Sequence, residues 1–378
     1  MSEQSLTQNV LFEKVATQGG QFVGRVTLNM EKALNALNLD MVQQITKQLL
    51  VWQADEDLVC ILLDGAGDKA FCAGGDVREI HAAASLHPGE IPAPAVEFFT
   101  QEYQLDYLLH TFGKPVVVWG DGIVMGGGLG LMAGASHRIV TDRSRVAMPE
   151  VTIGLYPDVS GSYFLNRMPG KSGIFLGMTA YNLNAADAKY VDIGNHYMHH
   201  QDKGKLITAL TDMTWQRDEA SNHQALHRLL NEFEAASDIA LGASLLQQHQ
   251  AQIDELMSGS ATDIVNRMQA LETEEKWLQR AQKTLLAGSP ISWHLIIAQA
   301  QLGTELSLAQ VFQLELGMSV NCCAVADFCE GVRALLIDKD RNPQWKYSSA
   351  KEVPESLVAR IMASPWTPTA HPLSQLAG

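Results

Sequence analysis

Residues 115–141 read PVVVWGDGIVMGGGLGLMAGASHRIVT. Pro115 to Trp119, rich in β-branched and aromatic side chains, predicts a strand. The glycine run Gly126-Gly127-Gly128-Leu129-Gly130 then reads as a loop entering a buried helix, where small residues permit tight packing. His137 to Thr141 is a second strand. Strand, helix and strand in one stretch predict a parallel sheet with covering helices, because parallel neighbours need a crossover. One frame, Gly128-x-Gly130-x-x-Ala133, fits the dinucleotide fingerprint. It is set aside because the glycines start well after the strand ends and no acid is placed to hold a ribose.

Working outward, the same alternation continues. Asn9–Ala16 (NVLFEKVA) and Phe22–Asn29 (FVGRVTLN) read as two strands joined at Gly19-Gly20. A helix is expected from Leu39 to Trp52, a strand from Val59 to Leu63, then a glycine turn, FCAGGD (Phe71–Asp76), and a helix near Val77 to Ala83. Residues 85–94 read as a loop, Val96 to Phe112 as a helix, and Arg145 to Met148 as a short strand. After about residue 200 the strand signals fade. Helical spacing marks Glu219–Ala236, Ala243–Met257, Glu274–Leu286 and Val320–Ile337, and the proline-rich tail after Asp338 reads as mostly irregular. The expectation is an α/β fold, with a strand-and-helix core over residues 1–200 and a mainly helical region over 201–378.

The 42 acidic residues outnumber the 27 basic ones among 378, giving a net charge of −15. That balance speaks against nucleic acid and anionic membrane surfaces as partners, since phosphate binding needs a basic face. The apolar run from Gly122 to Ser136 is too short to span a bilayer. The N-terminus, MSEQSLTQNV, has no basic and apolar leader pattern, and no arginine precedes Arg25. Cys60, Cys72, Cys322, Cys323 and Cys329 form no C-x-x-C pair and read as reduced, buried thiols. These features set the expectation of a cytoplasmic protein.

Two segments are candidates for chemistry on their residues alone. In FCAGGD, Ala73-Gly74-Gly75 exposes backbone N–H groups to close approach, although a plain turn with Asp76 as helix N-cap explains it too. In MPEVTIGLYPD (Met148–Asp158), Glu150 and Asp158 stand eight residues apart in an apolar stretch, and each follows a proline. Apolar surroundings raise carboxyl pKa values and make such groups useful bases or nucleophiles. A helix N-cap role for Asp158, and a salt bridge from Glu150 to Arg145 or Lys171, are the competing explanations. His196, His199 and His200 have no carboxylate or cysteine at a metal-binding spacing and read as a polar loop. Cys72 reads as a small apolar filler.

Taken in order, TLNMEKALNAL (Thr27–Leu37), KAFCAGGD (Lys69–Asp76), GDGIVMGGGLGL (Gly120–Leu131) and MPEVTIGLYPD resemble the crotonase, or enoyl-CoA hydratase/isomerase, superfamily over residues 9 to about 200. Each glycine motif alone is weak; the ordered set is specific. FFTQEYQLD (Phe98–Asp106) and EGVRALLIDKDRNPQWK (Glu330–Lys346) further resemble the superfamily's thioester-hydrolysing branch. The resemblance implies a spiral of β-β-α turns with a helical C-terminal region. It implies an oxyanion hole from the backbone N–H groups of Gly75 and Gly127, with Glu150 and Asp158 as the catalytic acids. Glu102 would line the acyl pocket. Lys32, Ala33, Leu34, Ala73, Gly74 and Asp76 would bind the rest of the substrate, with Lys32 and Arg78 as a basic rim.

The implied reaction is hydrolysis of a short 3-hydroxyacyl-CoA thioester, foremost 3-hydroxyisobutyryl-CoA to 3-hydroxyisobutyrate and CoA in valine breakdown. No metal or other cofactor is implied, coenzyme A entering as part of the substrate. A homo-oligomer is a further implied possibility. The hydratases' first catalytic glutamate would fall at Gly130, which makes two-glutamate water addition doubtful. Ser160 and Ser162 depart from the hydrolase pattern, where glycine is common at both positions. Two other readings stay open: a hydratase or isomerase of a short acyl-CoA, and a non-catalytic acyl-CoA-binding protein.

Overall fold

The computed structural model describes residues 8–237, 240–302 and 304–376. Backbone proximity groups the chain into two compact units, neither of them one continuous stretch. The first comprises Met1–Gly75, Leu108–Arg145 and Asn184–Gly242, and the second Asp76–Tyr107, Val146–Leu183 and Ala243–Gly378.

The strands in chain order are β1 (Val10–Ala16), β2 (Phe22–Leu28), β3 (Leu58–Gly65), β4 (Ala70–Cys72), β5 (Val116–Gly120), β6 (Ile123–Met125), β7 (His137–Thr141), β8 (Arg145–Ala147) and β9 (His196–Met198). The first unit is built on a sheet of order β1-β2-β3-β5-β7-β9. β1 and β2 form an antiparallel hairpin, and every later pairing is parallel. All eight residues of β3 are buried, as a strand covered on both faces requires. The helix Leu39–Gln53 starts where the Asn38 side chain accepts from Met41 N–H at 2.9 Å, and it buries Met41, Val42, Ile45, Leu49 and Trp52. Trp52 lies against β2 at Gly24, where a Cβ would come within 2.8 Å of the indole.

On the sheet's other side, helices Lys203–Asp212 and Glu219–Ala235 bring Leu206, Leu210, Leu226 and Leu230 into one cluster with Val23, Leu62, Val117, Trp119 and Ile139. Truncating one such leucine to alanine costs about 2–5 kcal/mol. The change at residue 200 is therefore one of secondary-structure content. The compact units cut across it, because the first two helices after it complete the sheet's core.

The second unit is mostly helical. Its helix Leu308–Cys323 opens with a capping box between Ser307 and Gln310 and buries side chains around most of its circumference. The sequence placed a helix at Val320–Ile337 instead. The structure has Leu308–Cys323, a break at extended Val325, the helix Ala326–Val332 and a wider turn over Arg333–Ile337. A helix apolar on nearly all sides shows little of the one-sided periodicity that marks a surface helix. The tail is also less irregular than expected. Glu355–Met362 is a helix that buries Leu357 and Ile361, with Pro354 at its N-cap, where a missing N–H costs nothing. No described helix is long and apolar enough to cross a membrane.

Candidate active site

In the first unit, the segment after β2 and the glycine turn after β4 meet through their backbones. Ala73 N–H donates to Leu34 O at 3.0 Å, and Leu37 N–H donates to Gly74 O at 2.8 Å. Asn35 locks this junction. It is buried, accepts from Met30 N–H at 2.9 Å, and donates to Ala66 O and Ala70 O at 3.0 and 2.9 Å. Lys32 and Ala33 lie on the adjoining short helical turn Glu31–Ala33, with Lys32 exposed. Gly74 has φ +111°, and a Cβ there would lie 3.2 Å from Met125 O and 3.8 Å from Gly127 N. The two glycine segments are therefore neighbours. Gly127 opens the helix Gly127–Ala133, so its N–H precedes the first intrahelical acceptor. A Cβ on Gly128 would sit 2.4 Å from Cys72 O, which is why the helix needs glycine to approach β4 so closely. Cys72 is buried, as a filler role requires.

The second unit holds the carboxyl groups. Glu102 lies on the helix Ala93–His110, Glu150 opens the short helical turn Glu150–Ile153, and Asp158 follows Pro157; all three are buried. Asp158 Oδ2 accepts from Tyr103 Oη at 2.6 Å. That hydroxyl also meets Ser319 Oγ at 2.7 Å, and Ser319 Oγ lies 2.9 Å from Tyr156 Oη. Asp158 is thus not an N-cap, and Val159 and Ser160 after it hold φ of +50° and +69°. Glu150 forms no ion pair with Arg145 or Lys171. Its Oε2, Glu102 Oε1 and both oxygens of Asp106 find no hydrogen-bond partner among the described residues.

Burial controls the charge here. Desolvation pushes Asp158 up to about 6, with the Tyr103 hydroxyl holding it back. Glu150 is raised well above the usual carboxyl range, first by burial and then by the neighbouring Asp158 and Glu102 charges. Glu102 is raised by burial and Asp158, and Asp106 by burial, Glu102, Asp158 and Glu315. Carboxyls gathered in a dry site cannot all ionise, so the cluster retains protons at neutral pH. Ionised in such surroundings, a carboxylate is a stronger base than in water.

Other expected residues fall elsewhere. Asp76 precedes the helix Arg78–Leu86 but does not cap it, since Val77 occupies that position. Its carboxylate instead accepts from the Arg78 guanidinium at 2.5 Å and, more weakly, from Arg78 N–H at 3.3 Å. His196 is buried and stacks on buried His137, which stacks in turn on half-buried His223, while exposed His227 meets His196 edge-on. His199 and His200 do have a nearby carboxylate, Asp142, with ligand-type atoms of all three within 4.8 Å. It comes from 57 residues upstream of His199, out of reach of any local spacing. Asp142 accepts both the backbone N–H and the ring of His200, at 2.8 and 2.9 Å, so these groups already satisfy one another.

A family described as enoyl-CoA hydratase/isomerase matches residues 23–362. The chain belongs to the enoyl-CoA hydratase/isomerase family. Among curated relatives, the mitochondrial 3-hydroxyisobutyryl-CoA hydrolase of Danio rerio is 38% identical, covering 94% of this chain and 89% of the relative. The protein of the same name from Homo sapiens is 36% identical, covering 91% and 86%. Among solved structures, an enoyl-CoA hydratase from Rhodobacter sphaeroides superposes with a TM-score of 0.81 at 32% identity over 95% of this chain and 98% of the other. A carnitinyl-CoA dehydratase from Mycobacterium thermoresistibile does so with a TM-score of 0.81 at 32% identity over 94% and 97%. These neighbours establish the crotonase-like α/β fold.

The relatives overturn the expectation of a cytoplasmic protein, because their names place them in the mitochondrion. Buried reduced thiols report a reducing environment, which both compartments provide, and so could not separate the two.

Proposed function

We propose that this chain hydrolyses the thioester of 3-hydroxyisobutyryl-CoA, releasing 3-hydroxyisobutyrate and CoA, a step of valine breakdown. The observation that carries the reading is the set of 3-hydroxyisobutyryl-CoA hydrolases aligned over about nine-tenths of the chain. The buried carboxyl cluster around Asp158 supports it. The thioester oxygen lies between the N–H groups of Gly75 and Gly127, where each donor is typically worth about 3 kcal/mol as negative charge develops. Glu150 acts beside the carbonyl, in one of two ways. As general base it takes a proton from water while the water oxygen bonds to the carbonyl carbon. As nucleophile it first forms an acyl–enzyme anhydride that water then cleaves. In both, the C–S bond breaks and CoA leaves as the thiol.

Asp158 binds the 3-hydroxyl or orients water, and Glu102 lines the acyl pocket. Backbone at Lys32, Ala33, Leu34, Ala73 and Gly74 holds the CoA moiety, with Asp76 and Arg78 at the rim. The reaction as written calls on no metal or redox cofactor. Assembly into a homo-oligomer, which the resemblance implies as a possibility, is tested by light scattering of the purified chain.

The hydratase names of the solved neighbours motivate a second reading, water addition to an enoyl-CoA. Gly130, which stands where the resemblance puts the hydratases' first glutamate, speaks against it. The test is free thiol released from 3-hydroxyisobutyryl-CoA, with crotonyl-CoA absorbance followed in parallel. Thiol release that disappears in Glu150→Gln supports the hydrolase. Loss of crotonyl absorbance without thiol release establishes the hydratase instead.

A further inference from the structure

Glu315 lies outside every motif singled out in the sequence, yet it is fully buried and touches the loop that carries Asp158. Its Oε2 accepts from Ser160 N–H at 2.8 Å and its Oε1 from Ser162 N–H at 2.7 Å. Between Asp158 and these donors the chain makes an unfavourable turn. Val159 and Ser160 hold φ of +50° and +69°, a region that suits glycine and penalises a β-branched residue most. The short helix that begins at Gly161 has no side-chain cap. Both oxygens of one carboxylate therefore hold the two N–H groups that flank its start, a task usually left to a Ser, Thr, Asp or Asn at the N-cap.

The helix that carries Glu315, Leu308–Cys323, grips Asp158 a second time. Ser319, one turn after Glu315, meets the hydroxyls of Tyr103 and Tyr156, and Tyr103 donates to Asp158. Tyr156 also donates to Glu315 O at 2.7 Å, which ties the residue ahead of Pro157 to this helix. Backbone and side chain of the Asp158 loop are thus held from Glu315 and Ser319, four residues apart on one helical face.

We propose that Glu315 is a positioning residue for the reaction: its carboxylate, hydrogen-bonded to Ser160 and Ser162 N–H, holds the left-handed turn that aims Asp158. The proposal rests on the hydrolase reading above and adds a residue to it. It also accounts for the serine at position 160. Where glycine stands, the turn adopts its φ without strain; with serine there, an external acceptor has to hold it.

The experiment measures thiol release from 3-hydroxyisobutyryl-CoA by wild type, Glu315→Gln and Glu315→Gln/Ser160→Gly, with circular dichroism and thermal melts on each. The Gln side chain keeps the size but offers one acceptor oxygen for two donors. The expected result is a 10- to 100-fold fall in kcat with KM within about 3-fold, the scale of loss for a misaimed group. Adding Ser160→Gly restores kcat at least fivefold, since glycine takes the left-handed φ at position 160 without strain and lowers the demand on the acceptor. A merely structural role would let the second substitution recover the melting temperature without moving kcat per folded molecule. Unchanged kcat in Glu315→Gln overturns the proposal, as does a loss that Ser160→Gly leaves in place in folded protein. If Glu315→Gln alone does not fold, the double variant decides: kcat near wild type supports the proposal, and kcat below one tenth overturns it. A wild type that releases no thiol overturns the hydrolase reading and the proposal together, whereas an active wild type isolates the proposal.

Discussion

Asp158→Asn should abolish thiol release and yet make the fold more stable above pH 6. Burial carries the Asp158 carboxyl from 3.8 to about 6, even with the Tyr103 hydroxyl donating to it. An acid raised in this way titrates first in the unfolded chain, so the unfolded state binds fewer protons from pH 3.8 upward. Its stabilising contribution is full below 3.8 and is lost as pH rises through 6. Each tenfold change in proton affinity is worth about 1.4 kcal/mol, so above pH 7 the ionised carboxyl costs the fold about 3 kcal/mol. Asparagine keeps the size and an oxygen to accept from Tyr103 but carries no charge to desolvate. For a chain this long, 3 kcal/mol corresponds to a rise in melting temperature of about 4 °C.

The assay is a series of thermal melts of both proteins from pH 4 to pH 8, with thiol release measured on the same samples. The difference in melting temperature should be small at pH 4, grow through pH 6 and level off above pH 7. A difference that does not vary with pH would refute the assignment of burial as the cause. An active Asp158→Asn enzyme would remove Asp158 from the mechanism.

His137 and His196 titrate in the opposite sense. Burial depresses His137 to about 3 and His196 to about 4, so their neutral forms support the fold above pH 6.5 and that support is lost as pH falls toward 4. Relative to wild type, His196→Leu should gain stability between pH 6.5 and 4 as read by tryptophan fluorescence, and a gap independent of pH would count against this account. Gly74→Ala forces a side chain onto φ +111° within 3.2 Å of Met125 O. It should cost about 1–3 kcal/mol in urea unfolding and slow thiol release at least tenfold, whereas wild-type behaviour would mean the glycine turn has slack. Asp64 is buried and holds Arg25 at 2.8 Å, Lys203 at 2.9 Å and the Thr27 hydroxyl at 2.6 Å. Asp64→Ala leaves two partly buried cations facing each other and should lower stability by about 3 kcal/mol, with Asp64→Asn in between.

The α/β class was legible because strand, glycine turn and helix recur locally, and β3 and β5 are short apolar runs bounded by turns. The candidate carboxylates were legible because acids in apolar segments stand out. Helix Leu308–Cys323 was not, since burial on most sides erases its periodicity. Glu315 also stands in an apolar segment, Val311–Val320, but nothing local links it to Ser160 and Ser162, which lie more than 150 residues away, and Ser319 carries no local signal at all. Asn35 was hidden for the same reason, its acceptors lying more than thirty residues away at Ala66 and Ala70.

By itself, then, the amino-acid sequence determined the alternation of elements, the places where glycine admits close backbone approach and the acids available for chemistry. These are local properties, set by side-chain volume, branching and backbone freedom within a few residues. Tertiary structure alone decided which acids share one dry cluster, which of them find a hydrogen-bond donor, and that Tyr103, Tyr156, Glu315 and Ser319 hold Asp158 and its loop. Those outcomes depend on desolvation and on hydrogen bonds between segments up to 216 residues apart, and neither exists until the chain has folded.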